Sequence, residues 1–202
     1  MLKKMQLFII RTIFRILFGI FYKVRVEGVE NVPLSGRAIL VSNHESFLDP
    51  MVLYHFIPRR THAVAGKWLF KIWWAAWIFK STECIPTNGS LDKTVDVLME
   101  DKMILIFPEG ICRRVKDGGL VKPHKGVALL ALSTGAPVIP VAISGTFEAW
   151  PQTSFLPRFF KKITVRIGRR LVFERRDNKD IPSPLMQETL DKIMSAIEAL
   201  TT

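Results

Sequence analysis

Apolar and polar residues along this chain follow two periods. The runs Ala38-Ile39-Leu40-Val41, Met103 to Phe107 and Pro137 to Ile143 are continuously apolar over strand length and read as buried strands. Val24-Arg25-Val26-Glu27-Gly28 and Ile163-Thr164-Val165-Arg166-Ile167 alternate with period two. Thr61 to Ala65 and Glu83-Cys84-Ile85-Pro86 are two further short strands. Between them lie helical stretches. The pattern predicts helices over 47–56, over 91–100 with Ser90 as N-cap, and over 125–134 closed by Gly135. A last helix spans 183–200, where Met186, Leu190, Ile193, Ile197 and Leu200 recur at helical spacing. Strands alternating with helices over 202 residues predict one α/β domain with a mixed central sheet flanked by helices.

Two stretches do not fit that alternation. Residues 1–22 are strongly apolar, yet Lys4, Arg11 and Arg15, spaced by seven and four, share one helical face. A spanning helix needs about 20 apolar residues without central charges, so the expected form is a helix lying in a membrane interface with its arginines toward the headgroups. The embedded arginines and the lack of a small-residue cleavage site argue against a secretory signal. The chain is thus expected to divide into an interfacial helix, 1–24, and a main domain, 25–202. Residues 67–80 hold four of the five tryptophans, with lysines at 67, 71 and 80. Trp and Lys together mark the headgroup level of a bilayer.

Charge sharpens the membrane expectation. Twenty-nine Lys and Arg against 18 Asp and Glu leave a formal charge of +11, which seeks a polyanion. The 49% apolar content and five tryptophans favour an anionic membrane surface over nucleic acid, for which no recognition signature is present. Attachment to the cytoplasmic membrane face, peripheral or monotopic, is expected. Cys84 and Cys112 form no disulfide framework, which suits a reducing compartment. Neither is assigned a catalytic role, and His55 is read as structural. Oligomeric state is not legible.

The chemistry concentrates where two buried strands end. After Val41 come Asn43-His44 and, five positions past the histidine, Asp49. If a helix starts near Ser46, Asp49 sits about one turn in and can hold one imidazole nitrogen, leaving the other to take a proton from a hydroxyl. The second strand ends in Phe107-Pro108-Glu109-Gly110, a carboxylate beside a glycine that permits close backbone approach.

Asn43-His44 with Asp49 matches the pattern NHxxxxD, Phe107 to Gly110 matches FPEG, and Val138-Ile139-Pro140-Val141 follows in order. Over roughly residues 37–146 the chain resembles the glycerolipid acyltransferases, the lysophosphatidic acid acyltransferase family. The resemblance implies a glycerol-3-phosphate acyltransferase-like fold with His44 and Asp49 as the catalytic pair. It also implies substrate contacts from Asn43, Ser46 and Pro108, acceptor binding by Glu109 and Gly110, and a donor side shaped by Pro140. The donor would be acyl-CoA or acyl carrier protein, the acceptor a lysophospholipid, 1-acylglycerol-3-phosphate first, and no cofactor or metal is implied. Two departures bear on the acceptor. FPEG is usually followed by Thr-Arg, but Ile111 and Cys112 stand here, with Arg113 and Arg114 one and two positions later. The family's second motif usually ends in arginine, but Ile85-Pro86-Thr87-Asn88-Gly89 has none. Arg113 or Arg114 is expected to supply the phosphate's cation. The rival readings are a thioesterase, a transacylase or acyltransferase with another acceptor, and a non-catalytic basic membrane-binding module.

Overall fold

A computed structural model describes residues 2–110 and 122–201, except 74, 75, 77, 78, 81, 152, 153 and 155, with backbone alone at residues 2–8 and 10. Among the described residues, seven strands form one sheet: β1 (Lys23–Glu27), β2 (Ala38–Ser42), β3 (Thr61–Gly66), β4 (Ile85–Thr87), β5 (Met103–Ile106), β6 (Val138–Ser144) and β7 (Lys162–Ile167). Their order is β1-β7-β6-β2-β5-β3-β4. Every neighbouring pair is parallel except β6 with β7. The carboxyl ends of β6, β2 and β5 therefore lie at one end of the sheet. Because β7 runs against β6, with Ser144 opposite Thr164, the starts of β7 and β1 lie at that same end.

The α-helices named among the described residues are α1 (Leu2–Phe21), α2 (Leu48–Phe56), α3 (Asp92–Met99), α4 (Gly126–Thr134), α5 (Thr146–Ala149) and α6 (Ser183–Glu198). The sheet separates two apolar cores because side chains alternate across it. Leu40, Leu105 and Ile143 face Phe18, Val52 and Leu53 on the α1–α2 side. Ile39, Val41 and Ile104 face Leu130, Leu190 and Ile193 on the α4–α6 side. Both faces are covered, which is why β2 and β5 are apolar throughout.

Pro140 sits in the middle of this sheet, where a missing N–H usually breaks the ladder. Its carbonyl accepts from Gly168 N at 2.8 Å, so its nitrogen faces the same side, just past the end of β7 at Ile167.

Predicted and observed elements differ at particular places. Helix α3 begins at Asp92, with Leu91 at the N-cap, and Ser90 instead accepts the Asp92 N–H on its hydroxyl at 3.3 Å. The predicted strand over 83–86 forms two residues later, because Glu83 takes a left-handed φ of 55°. Short α5 follows Gly145 without a sequence signal.

The largest difference is the orientation of α1. Arg11 and Arg15 both reach toward the carboxyl end of α2, although Arg15 stays partly exposed. Arg15 Nε donates to the His55 carbonyl at 2.6 Å, and the Arg11 guanidinium donates to the Ile57 carbonyl and lies over the Tyr54 ring. The last carbonyls of α2 lack helical partners and carry the negative end of its dipole, so two cations bind there strongly. The outward side of α1 is instead apolar: Ile9, Ile13, Ile16, Leu17 and Ile20 are all exposed. Among the described residues, no helix is long and apolar enough to cross a membrane.

Candidate active site

The end of β2 is locked by side chains. Its backbone pairing with β6 stops at Ser42, opposite Val141. Asn43 continues it: Nδ2 donates to the Ile143 carbonyl at 2.9 Å, and Oδ1 accepts the Ile143 N–H at 2.8 Å. The chain then turns into α2, and Asp49 in the first turn of that helix points back. Its Oδ2 accepts the N–H groups of Glu45 at 2.7 Å and Ser46 at 2.8 Å, and lies 2.9 Å from His44 Nδ1. Asp49 is completely buried, and its Oδ1 has no hydrogen-bond partner among the described residues. Ser46 donates through Oγ to the Trp150 carbonyl at 2.8 Å, tying the turn to the segment after α5.

A carboxylate oxygen that already takes two backbone N–H groups is an acceptor toward His44 as well. It selects the tautomer with the proton on Nδ1 and leaves the Nε2 lone pair bare. The imidazole also stacks on Phe107 with centroids 4.1 Å apart, a contact that favours this orientation.

Phe107 begins the second motif, directly after β5. Glu109 follows, buried, with its carboxyl accepting the His44 N–H at 3.3 Å. Burial, with Asp49 and Glu45 nearby, pushes this carboxyl up to about 7 against the opposing effect of the His44 N–H. Gly110 turns with φ 66°, and a Cβ there would lie 3.0 Å from the His124 ring. The backbone N–H of His124 in turn donates to the Pro108 carbonyl at 2.8 Å.

The structure therefore gathers Asn43, His44, Ser46, Asp49, Phe107, Pro108, Glu109 and Gly110 at the joined ends of β2 and β5. Pro140 is level with Val41, three residues before His44 along the sheet. Arg113, Arg114 and Cys112 lie outside the described residues. His124 and Trp150 were not singled out in the sequence, and Phe107 was named only as the start of its motif, with no role of its own. An aromatic at a strand end was the available signal for Phe107, and a histidine just ahead of a helix was the signal for His124. Trp150 offers none, because only its backbone carbonyl is used. Among the described residues, no three His, Cys, Asp or Glu side chains gather as a metal site.

Comparison with known proteins places this arrangement. The family model described as Acyltransferase matches residues 23–144, which include both strand ends. The chain is 32% identical over 143 residues to a chloroplastic 1-acyl-sn-glycerol-3-phosphate acyltransferase of Arabidopsis thaliana, covering 66% of this chain and 39% of that one. It is 30% identical over 143 residues to a chloroplastic 1-acyl-sn-glycerol-3-phosphate acyltransferase of Brassica napus, covering 66% and 41%. Each alignment thus spans well under half of the relative's length. Among solved structures, the 1-acyl-sn-glycerophosphate acyltransferase PlsC of Thermotoga maritima superposes with a TM-score of 0.75 at 25% identity, covering 99% of this chain and 81% of that one. The family match covers more than half of the sequence and contains both His44 and Asp49: the chain belongs to the acyltransferase family.

Proposed function

We propose that the protein transfers a fatty acyl chain from acyl-CoA or acyl carrier protein to the hydroxyl of a lysophospholipid, 1-acylglycerol-3-phosphate first, giving phosphatidic acid. The observation that carries this reading is the His44 Nδ1 to Asp49 Oδ2 contact of 2.9 Å, with Asp49 buried and its position set by two backbone donors. Nε2 of His44 takes the proton of the acceptor hydroxyl as its oxygen attacks the thioester carbonyl. The C–S bond breaks, the imidazolium returns the proton to the leaving thiolate, and Asp49 stabilises the imidazolium between the two steps. General-base assistance supplies about 10²–10⁴-fold, and positioning with oxyanion stabilisation supplies the rest. The names of the relatives support the acceptor class.

Both substrates are amphiphiles, so the enzyme works at the cytoplasmic face of a membrane, held there by the apolar side of α1 and the tryptophan-rich stretch at 67–80. Trp68 and Trp73 are both strongly exposed.

The acceptor phosphate is held by Arg113 or Arg114, which stand in for the cation missing from position 112. Loss of one such charge-assisted contact costs about 1.5–3 kcal/mol, seen chiefly as a higher acceptor KM. The test is purified protein with labelled acyl-CoA and a panel of lysolipids, then acceptor kinetics for Arg113→Ala, Arg114→Ala and the double variant. Phosphatidic acid from the wild type, with KM raised in at least the double variant, is expected. Unchanged kinetics in all three variants remove the arginines from the phosphate site. Acylation of a neutral alcohol or amine lipid, with lysophosphatidic acid ignored, makes the altered motifs a change of acceptor. Thioester loss without an acylated product makes the protein a thioesterase.

A further inference from the structure

The segment between α5 and β7 carries a surface that neither the dyad nor α1 requires. It reads Leu156-Pro157-Arg158-Phe159-Phe160-Lys161-Lys162. Leu156 is 68% exposed and Phe160 74% exposed, and Phe159 is also exposed. Large apolar side chains displayed together at this level usually meet another apolar phase.

The turn that displays them is fixed rather than loose. Arg158 N donates to the Ala149 carbonyl at 2.6 Å, and Phe160 N donates to the Phe21 carbonyl at 2.6 Å. The Phe159 ring packs on Phe21 with centroids 5.0 Å apart. Phe160 is held at φ 63°, a left-handed backbone that a bulky aromatic residue rarely adopts. Strain of this kind, kept in order to hold an apolar ring in water, points to a use for the ring.

Charge and topology say what the ring meets. Lys23, Arg158, Lys161 and Lys162 surround the turn and are exposed, and none of them is in an ion pair among the described residues. Exposed aromatics within a ring of cations complement an anionic headgroup layer above hydrocarbon. The turn opens β7, whose start lies at the same end of the sheet as the carboxyl ends of β2 and β5, hence at the end bearing His44. It adjoins the last turn of α1, whose Ile16, Leu17 and Ile20 also face outward.

We propose that residues 156–162 are a further bilayer contact, a fixed aromatic-cationic turn that lays the catalytic end of the sheet on an anionic phospholipid surface beside α1. This rests on the reading of the protein as a membrane-surface acyltransferase held by α1 and the stretch at 67–80. A further contact at the start of β7 sets which end of the sheet faces the lipid.

The experiment is co-sedimentation of the full chain with vesicles of phosphatidylcholine alone and of phosphatidylcholine with phosphatidylglycerol. The variants are Leu156→Ser, Phe160→Asn and Lys161→Gln/Lys162→Gln, each with its melting temperature and oligomeric state measured. Asn tolerates the left-handed backbone, so Phe160→Asn is expected to melt at or above wild type. Leu156→Ser and Phe160→Asn are expected to lower partitioning into both vesicle types about tenfold. The double lysine variant is expected to lower it about fivefold per charge on the anionic vesicles alone. Wild-type levels of partitioning in all three variants overturn the contact at residues 156–162 while leaving the membrane reading intact. Failure of the wild type itself to sediment with anionic vesicles removes both. A dimer converted to monomer by these variants, with vesicle binding unchanged, makes the turn a face between copies and overturns the proposal.

Discussion

The carboxyl ends of β2 and β5 lie side by side, and each hands a short polar loop to the same end of the sheet. Their electrostatics are opposite. At the β2 end, the Asp49 carboxylate is surrounded by donors: His44 Nδ1 and two backbone N–H groups converge on one oxygen within 2.9 Å. At the β5 end, Glu109 has the His44 N–H at 3.3 Å, is buried, and faces the two carboxylates of Asp49 and Glu45. One loop stabilises a charge and aims an imidazole. The other keeps a carboxyl near the point of neutrality, next to a glycine in left-handed conformation. The proposed mechanism draws its proton chemistry from the first loop, where the imidazole is oriented. The second becomes a latch that closes on the backbone of the first.

Removing the base breaks the comparison most severely. His44→Ala is expected to lower kcat for acyl transfer about 10²–10⁴-fold, about 3–5 kcal/mol of barrier, with the melting temperature near that of wild type. Asp49→Asn should fall toward the milder end of that range. An asparagine oxygen can still meet His44 Nδ1 but carries no charge to stabilise the imidazolium. A folded His44→Ala protein with near wild-type kcat would remove the histidine from the reaction.

Glu109 sharpens the comparison through pH. Its carboxyl titrates near 7 in the folded chain and in the ordinary range near 4.5 when unfolded. The stability it contributes is therefore present below pH 4.5 and lost as pH rises to 7, on the order of 3 kcal/mol. His55 works in the opposite direction. Burial, with Arg11 and Arg15 beside it, lowers this imidazole to about 4 from 6.5. Its contribution is present above pH 6.5 and lost as pH falls to 4. The two slopes oppose each other across pH 4.5–6.5. Glu109→Gln keeps an acceptor for the His44 N–H and removes one slope. The variant's stability, relative to wild type, should rise with pH across 4.5–7 in chemical denaturation. A difference that stays flat with pH would mean that Glu109 titrates like an exposed carboxylate.

How much of this was legible beforehand depends on how far apart the partners lie in the chain. The strands were legible because both faces of β2, β5 and β6 are buried, and the apolar runs say so directly. The His44–Asp49 contact was legible because five residues across a helix start bring the two side chains together. The partners of Asn43 and Ser46 were not. Ile143 and Trp150 lie 100 and 104 positions away, and both are engaged through their backbones, which carry no residue signature. Helix α1 shows the same limit. Its amphipathic pattern is plain in the sequence, but a pattern says only that two sides differ. Which side turns inward depends on the orphan carbonyls of α2, and those exist only once α2 has docked.

That inward turn supplies the smallest of the three effects and the most direct check on how α1 is seated. Arg15 donates to the carbonyl of His55, and Arg11 to that of Ile57, so the two guanidinium groups close the end of the helix whose first turn carries Asp49. A cation at a helix carboxyl end, bonded to a carbonyl, contributes about 1–2 kcal/mol. Arg15→Ala should therefore lower the melting temperature by about 2–8 °C for a chain of this size. It should also let the His55 imidazole rise from about 4, since one of the positive charges holding it down is gone. The acid limb of the stability curve would then move to higher stability while the neutral plateau falls, so the two curves converge as the pH drops. An α1 whose arginines faced headgroups, as its pattern alone suggests, would show neither change in detergent-free solution. Arg15→Lys separates charge from geometry. A lysine keeps His55 low through its charge but loses the planar donor, so it should lower the plateau less than alanine and leave the acid limb where wild type has it.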